Sequence, residues 1–144
     1  MNHWSAYKSR SGFTLVELLV AIAVFGFLAT IAVPQFIAFR PQSRLNGAAR
    51  QIYSELMWAP SKAVNDNTDY IVTFPTNQTM QIAGSTTKVI NIQTEYSDVT
   101  LSSSASTVTF SARGTASATP TITLTNSGGT KSVSLRITGT ASIS

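Results

Sequence analysis

Glu17 is the residue whose chemistry most needs explaining. It is the only charged side chain among the 21 residues from Phe13 to Val33. At about 1.5 Å rise per residue, a helix over that run would be roughly 32 Å long, enough to cross the hydrocarbon core of a bilayer. A carboxylate inside such a helix costs on the order of 2.5–3.5 kcal/mol, so it demands a compensating partner. The run itself offers none. Immediately upstream, Gly12 closes a polar leader that carries Lys8 and Arg10. Basic residues flanking a first span tend to stay on the cytoplasmic side, which would send the rest of the chain outward.

Elsewhere the chemistry is sparse. His3 is the sole histidine and there is no cysteine, which excludes a Cys/His nucleophile and a thiolate metal site. Asp66-Asn67-Thr68-Asp69 clusters the oxygens that calcium favours, but two carboxylates in a polar turn are far more often just a turn. Asn77-Gln78-Thr79 fits the glycosylation acceptor pattern. Arg113, Lys131 and Arg136 are the cations nearest the C-terminus that could meet phosphates. Phosphate binding needs several cations together, and scattered solvated charges account for these three more simply. Hydroxyls abound, yet no base stands ready to activate one. The sequence predicts no catalytic residue, no metal and no cofactor.

These groups need elements to carry them. The apolar run reads as a helix, with Gly26 a weak point inside it. Pro34 follows it directly and Pro41 comes next; each removes a helical hydrogen bond, so a kink or local melting is expected at Pro34. From Gln42 to about Asn65 the pattern turns amphipathic, with Leu45, Ala49, Ile52 and Leu56 on one face. Met57 and Trp58 read as part of that packing. Pro60 should kink or divide the helix, and Asn65-Asp66-Asn67 should stop it. The remainder reads as β-structure, with strands expected over Tyr70–Phe74, Thr79–Ala83, Lys88–Gln93, Val99–Leu101, Thr107–Ser111, Thr121–Thr125 and Ser132–Thr138. Asn126-Ser127-Gly128-Gly129 is a hairpin signal between the last two. Val133, Leu135 and Ile137 should share the face turned to the amphipathic helix.

Composition agrees with that plan. Of 144 residues, a 12-residue leader and a 21-residue span leave about 110, enough for one small domain. Only 11% of residues are charged, while Ser and Thr crowd the second half. That balance suits a β-rich domain facing the outside better than a cytosolic enzyme. The formal charge of +4 falls to +2 once Lys8 and Arg10 are set aside, so the basicity belongs partly to the leader.

The order glycine, phenylalanine, three residues, glutamate, then an apolar run resembles the class III signal of type IV pilins and pseudopilins. The resemblance implies cleavage by a prepilin peptidase between Gly12 and Phe13, N-methylation of Phe13, and pairing of Glu17 with the terminal amine of a neighbouring subunit. It also implies local extension of the helix near Pro34. Further along, Leu56, Ala59, Ser61 and Ala63 are similar to the L-x-x-A-R-S-x-A helix end of H-type (GspH/FimT-like) minor pseudopilins, with Pro60 where that pattern has arginine. Phe110-Ser111-Ala112-Arg113-Gly114-Thr115 resembles the F-x-x-x-G-T/S segment of the same branch, and Thr121–Asn126 the hairpin that follows it. Some FimT-like proteins resemble DNA-uptake pilins with a G-R-x-R element close to the C-terminus. Here the end reads Gly139-Thr140-Ala141-Ser142-Ile143-Ser144, without arginine.

The resulting expectation is an α+β, pilin-like chain. Its long N-terminal helix is apolar in its first half, amphipathic in its second, and packs on an antiparallel β-sheet domain. The divisions are a leader over residues 1–12, a transmembrane and filament-core helix over 13–33, an amphipathic helix with proline kinks over 34–65, and a β-rich globular domain over 66–144. The chain would sit in the inner membrane with its C-terminal domain in the periplasm or exterior. Its partners would be prepilin peptidase, other pilins or pseudopilins, and a secretion or pilus machinery. Two other readings stand beside this one: a DNA-binding minor pilin for DNA uptake, and a membrane-anchored β-domain that never polymerises. For the N-terminal run alone, an ordinary secretory signal ending at Ala21-Ile22-Ala23 and a buried soluble helix also compete; the first would have Glu17 interrupting its core, and the second sits poorly with a run apolar on every side.

Overall fold

The computed structural model describes residues 12–144; the leader residues before Gly12, with His3, Lys8 and Arg10, lie outside the described residues. Helix α1 runs from Leu15 to Asn65. The chain divides into two compact units after Phe36.

In the first unit the helix is apolar on all sides and buries nothing. Phe25 and Phe27 are 73% and 68% exposed, and Leu19, Leu28 and Ile31 are also more than half exposed. The helix is long and apolar enough to cross a membrane.

In the second unit the same helix presents a narrow stripe. Leu45, Ala48, Ala49, Ile52, Leu56, Ala59, Pro60 and Ala63 are buried at steps of three and four residues, the spacing of one helical face. The alanines keep that face low, so the strands can approach closely. Two antiparallel four-stranded sheets share the core with it. The first sheet has the order β3-β2-β1-β5, with β1 Tyr70–Thr73, β2 Thr79–Ala83, β3 Thr87–Asn91 and β5 Thr107–Phe110. The second has the order β4-β6-β7-β8, with β4 Thr100–Ser103, β6 Thr121–Asn126, β7 Gly129–Leu135 and β8 Ala141–Ile143. Alternation decides which side chains point inward: Tyr70, Val72, Met80, Ile82, Val108, Phe110, Ile122, Leu124, Val133 and Leu135 are all buried. Outward positions carry mostly Ser and Thr, whose β-branched or small hydroxylated side chains suit a wet pleated surface.

The α+β expectation therefore holds, and so does the hairpin at Asn126–Gly129, which pair across a two-residue loop. Four details differ. Pro60 neither divides nor ends the helix; α1 continues unbroken through Pro34, Pro41 and Pro60, with no melted stretch at Pro34. A proline forfeits one hydrogen bond, and Pro60 is buried in the shared core, so packing outweighs the loss. The third strand stops at Asn91 rather than Gln93, because Asn91 Oδ1 accepts from the Gln93 N–H at 3.0 Å and opens a 3₁₀ turn over Ile92–Thr94. Ile137 does not join Val133 and Leu135 in the core. It is 63% exposed, because β7 ends at Leu135 and Gly139 N closes a turn onto Arg136 O at 3.0 Å. Finally, β8 was not apparent from its short, weakly alternating sequence.

Two glycines close the domain at the far end of the helix. Gly114 and Gly139 have φ of +80° and +75°, in the left-handed region where side chains are disfavoured. A Cβ on Gly139 would lie 2.3 Å from Gly114 O and 3.3 Å from Pro60 Cβ. Gly114, the glycine of the F-x-x-x-G-T segment, is thus required by its turn, and Gly139 both by its turn and by the Gly114 backbone against it.

Candidate assembly and processing site

Gly12 and Phe13 precede the helix as exposed, non-helical residues, and Phe13 is 81% exposed. Thr14 and Glu17 then start the helix together. Thr14 Oγ1 accepts from the Glu17 N–H at 3.2 Å, and the Glu17 carboxylate accepts from the Thr14 N–H at 3.4 Å. This reciprocal pair is a capping box, written in the sequence as Thr14-x-x-Glu17. It corrects the expectation that the apolar run offers Glu17 no partner: the first turn does. The carboxylate also sits where the helix dipole favours negative charge. Both bonds lie at the long end of the hydrogen-bond range, so they hold Glu17 loosely. The carboxylate and the exposed Gly12-Phe13 step stand together at one end of an unburied apolar helix. That arrangement can receive a cation from outside; among the described residues of the span, none is supplied from within.

Away from this tip, the polar groups serve to fasten the domain. Asp66 follows the last helical residue, where the dipole alone would disfavour a carboxylate. Ser85 Oγ and Tyr70 Oη each donate to its Oδ2 at 2.6 Å. Those two hydrogen bonds, with help from nearby Lys62, lower its pKa to about 2. Asp69 Oδ1 accepts from the Ala112 N–H at 3.1 Å. The two carboxylates are therefore engaged by different parts of the chain, as the turn reading requires. No group of three or more metal-ligating residues occurs among the described residues.

A second fastening lies at the start of the amphipathic segment. Asn126 donates through Nδ2 to Pro41 O at 2.8 Å and to Asp98 Oδ2 at 3.1 Å, while Arg44 pairs with Asp98 Oδ1 at 3.2 Å. The hairpin loop is thereby tied to the helix, and a Cβ on Gly128 would strike Gln42 N at 2.7 Å. Sequence reasoning identified the hairpin but missed these anchors, because nothing local in the sequence pairs residue 126 with residue 41.

The three candidate phosphate contacts do not form one patch. Arg113 and Arg136 sit in adjoining turns, since Ala116 N bonds Ile137 O at 2.9 Å and Gly139 abuts Gly114. Lys131 lies on β7 opposite Leu124, about five residues or ~17 Å of extended strand from Arg136.

Comparison with known proteins decides the family. Residues 48–141 match the family described as Type II transport protein GspH, and residues 7–33 match the prokaryotic N-terminal methylation motif. The chain belongs to the GspH family. Among curated relatives, it is 31% identical over 64 residues to a fimbrial protein of Pseudomonas aeruginosa, an overlap of 44% of this chain and 41% of that protein. This GspH-family chain thus spans less than half the length of the curated relatives first matched. Two solved structures have the same fold. The minor pilin FimU of P. aeruginosa matches with a TM-score of 0.56 at 18% identity, covering 69% of this chain and 92% of that one. The minor pseudopilin EpsH of the Vibrio cholerae type 2 secretion system matches with a TM-score of 0.57 at 12% identity, covering 70% and 96%. The GspH family and these neighbours are pilin and pseudopilin subunits rather than enzymes.

Proposed function

We propose that this GspH-family chain is a minor pilin or pseudopilin, cut between Gly12 and Phe13, methylated at Phe13 and incorporated into a type II secretion pseudopilus or a type IV pilus, in an initiation or tip role. The observation that carries this reading is the lone carboxylate of Glu17 at the tip of a helix that is apolar and exposed on every side. Such a helix needs lipid before assembly and neighbouring helices afterwards. The capping box shelters the carboxylate in the interim. On assembly, the freed terminal amine of a neighbouring subunit replaces the weak Thr14 contact with a charge-assisted one, which also selects the register. The anchor lies in the inner membrane with the β-domain outside it.

The deciding experiment is intact mass and N-terminal sequencing of the protein from native membranes. A chain starting at N-methylated Phe13 is expected. A start at Met1 would make it a simple anchor, and a start beyond Ala23 would make it a secreted domain. Glu17→Ala should still insert into the membrane but fail to co-purify with other pilins; normal co-purification would remove Glu17 from the assembly role.

A further inference from the structure

Strand β3 ends its sheet, and its free side is open. The Ile92 N–H donates to Gln78 O at 2.8 Å and the Gly84 N–H to Thr86 O at 3.0 Å. With Met80 opposite Ile90 and Ile82 opposite Lys88, the even-numbered residues of β3 are the ones bonded to β2. In an antiparallel pair the alternate residues then turn their N–H and C=O groups away. Those residues are Thr87, Val89 and Asn91, and among the described residues their outward backbone groups have no partner. The opposite edge of the same sheet is covered: Ser117 N bonds Thr109 O at 2.8 Å, and Thr109 N bonds Ser117 Oγ at 2.9 Å.

An exposed edge is ordinarily guarded by charge, a bulge or proline. Here the guard is turned away. The Lys88 ammonium is committed to Glu55 at 2.6 Å and lies 5.4 Å from the Trp58 ring centroid. Val89, 63% exposed, is left as an apolar anchor on the rim. Beside the strand, a cleft of about 390 Å³ opens between β3 and helix α1. Gln51 forms part of its wall, and the Gln51 Oε1 acceptor is buried and makes no hydrogen bond. Glu55 and Glu95 line the same cleft against Lys88 alone, and Glu95 forms no ion pair among the described residues. The cleft is therefore net acidic in a chain whose charge is otherwise net basic.

We infer that β3 and this cleft receive an extended segment of a sibling filament subunit, which adds a strand at Thr87–Asn91 and places a lysine or arginine side chain against Glu95. The inference rests on the subunit reading above. Backbone pairing would supply affinity and the acidic cleft would supply choice of partner. A phosphate-bearing ligand is disfavoured by the two carboxylates, and a purely apolar strand would leave the Glu95 charge unpaired.

The test uses the full chain in detergent micelles and two five-residue probes, acetyl-Thr-Val-Arg-Val-Thr-amide and its glutamate counterpart. The arginine peptide should shift the NMR signals of the Val89 amide and the Gln51 side-chain amide. It should bind about tenfold more tightly than the glutamate peptide, as expected for hydrogen bonds to a charged group. Glu95→Lys should abolish that preference, and Val89→Pro, which removes an outward N–H that the pairing with β2 does not use, should abolish binding. Equal shifts from both peptides, shifts confined to other strands, or none at all would overturn the proposal. So would concentration-dependent protection of the Thr87–Asn91 amides without peptide, which would make the occupant a second copy of this chain. Cleavage after Gly12, measured on the same variants, reads the subunit assignment separately. A Glu95→Lys chain that is processed normally but shows no change in peptide choice would refute the docking site alone.

Discussion

The two ends of helix α1 each place a carboxylate beside hydroxyl partners, and the surroundings make opposite use of it. At the start, Glu17 meets Thr14 at 3.2 to 3.5 Å in a segment where no side chain is buried. At the finish, Asp66 is gripped at 2.6 Å by Tyr70 and Ser85, beside a buried stripe that joins two sheets. One helix therefore carries a loose, self-sheltering terminus and a fixed one. The difference teaches that continuity of secondary structure does not imply one source of stability. The first stretch is helical because lipid or other helices would leave its backbone no other partner. The second is helical because its apolar stripe is covered by its own chain.

Glycine substitution should expose this contrast most sharply. Gly139→Ala forces a Cβ to 2.3 Å from Gly114 O at φ +75°, combining left-handed strain with overpacking. Together these should cost about 4 kcal/mol and collapse the melting transition of the β-domain. Gly26→Ala meets nothing within 4 Å and should leave that transition in place while raising helix propensity by about 1 kcal/mol. Circular-dichroism melts of both variants in detergent would check this; comparable losses from the two would erase the distinction.

Leucine truncation is the next test in size. Leu56 is fully buried against both sheets, and Leu56→Ala should lower stability by about 3 kcal/mol. Leu19 is 57% exposed, so Leu19→Ala should shift the domain's denaturant midpoint by less than about 0.5 kcal/mol equivalent. Its effect belongs in membrane extraction and filament incorporation instead. A matched loss from Leu19→Ala would show that the apolar span supports the domain after all.

How much of this was legible in the sequence depended on how local each signal was. The span, the Leu45–Leu56 stripe and the Asn126–Gly129 hairpin were readable because each is a periodicity or a short turn motif. The capping box was equally readable as Thr14-x-x-Glu17, but weighing Glu17 only as a membrane charge hides it. Asp98 and Asn126 clasping the helix at Pro41 and Arg44, and Ser85 reaching Asp66, were not readable. They join residues 19 to 85 positions apart, and no pattern in a single sequence marks such pairs. Ile137 misled for a related reason: alternation continues on paper past Leu135, although a turn bonded from Gly139 to Arg136 has already ended the strand.

The two carboxylates supply the finest test. Hydrogen bonds from Ser85 and then Tyr70 lower the Asp66 pKa from 3.8 to about 2. A depressed carboxylate contributes stability that is complete above its unfolded pKa and is lost as pH falls through the folded one. The Asp66 contribution should therefore persist above pH ~4 and vanish as pH drops toward 2. Asp66→Asn should be less stable near neutrality and should show a flatter decline across that window, with Ser85→Ala moving the carboxyl titration upward in NMR. The opposite end should respond more weakly. Thr14→Val removes the side-chain acceptor of the Glu17 N–H, a capping loss of about 1 kcal/mol, and should speed amide exchange at Leu15, Val16 and Glu17 without altering exchange in the strands. If Thr14→Val instead slowed exchange at those amides, Glu17 would not be held by its own first turn, and the loose end of the helix would have to be explained by something other than a cap awaiting replacement.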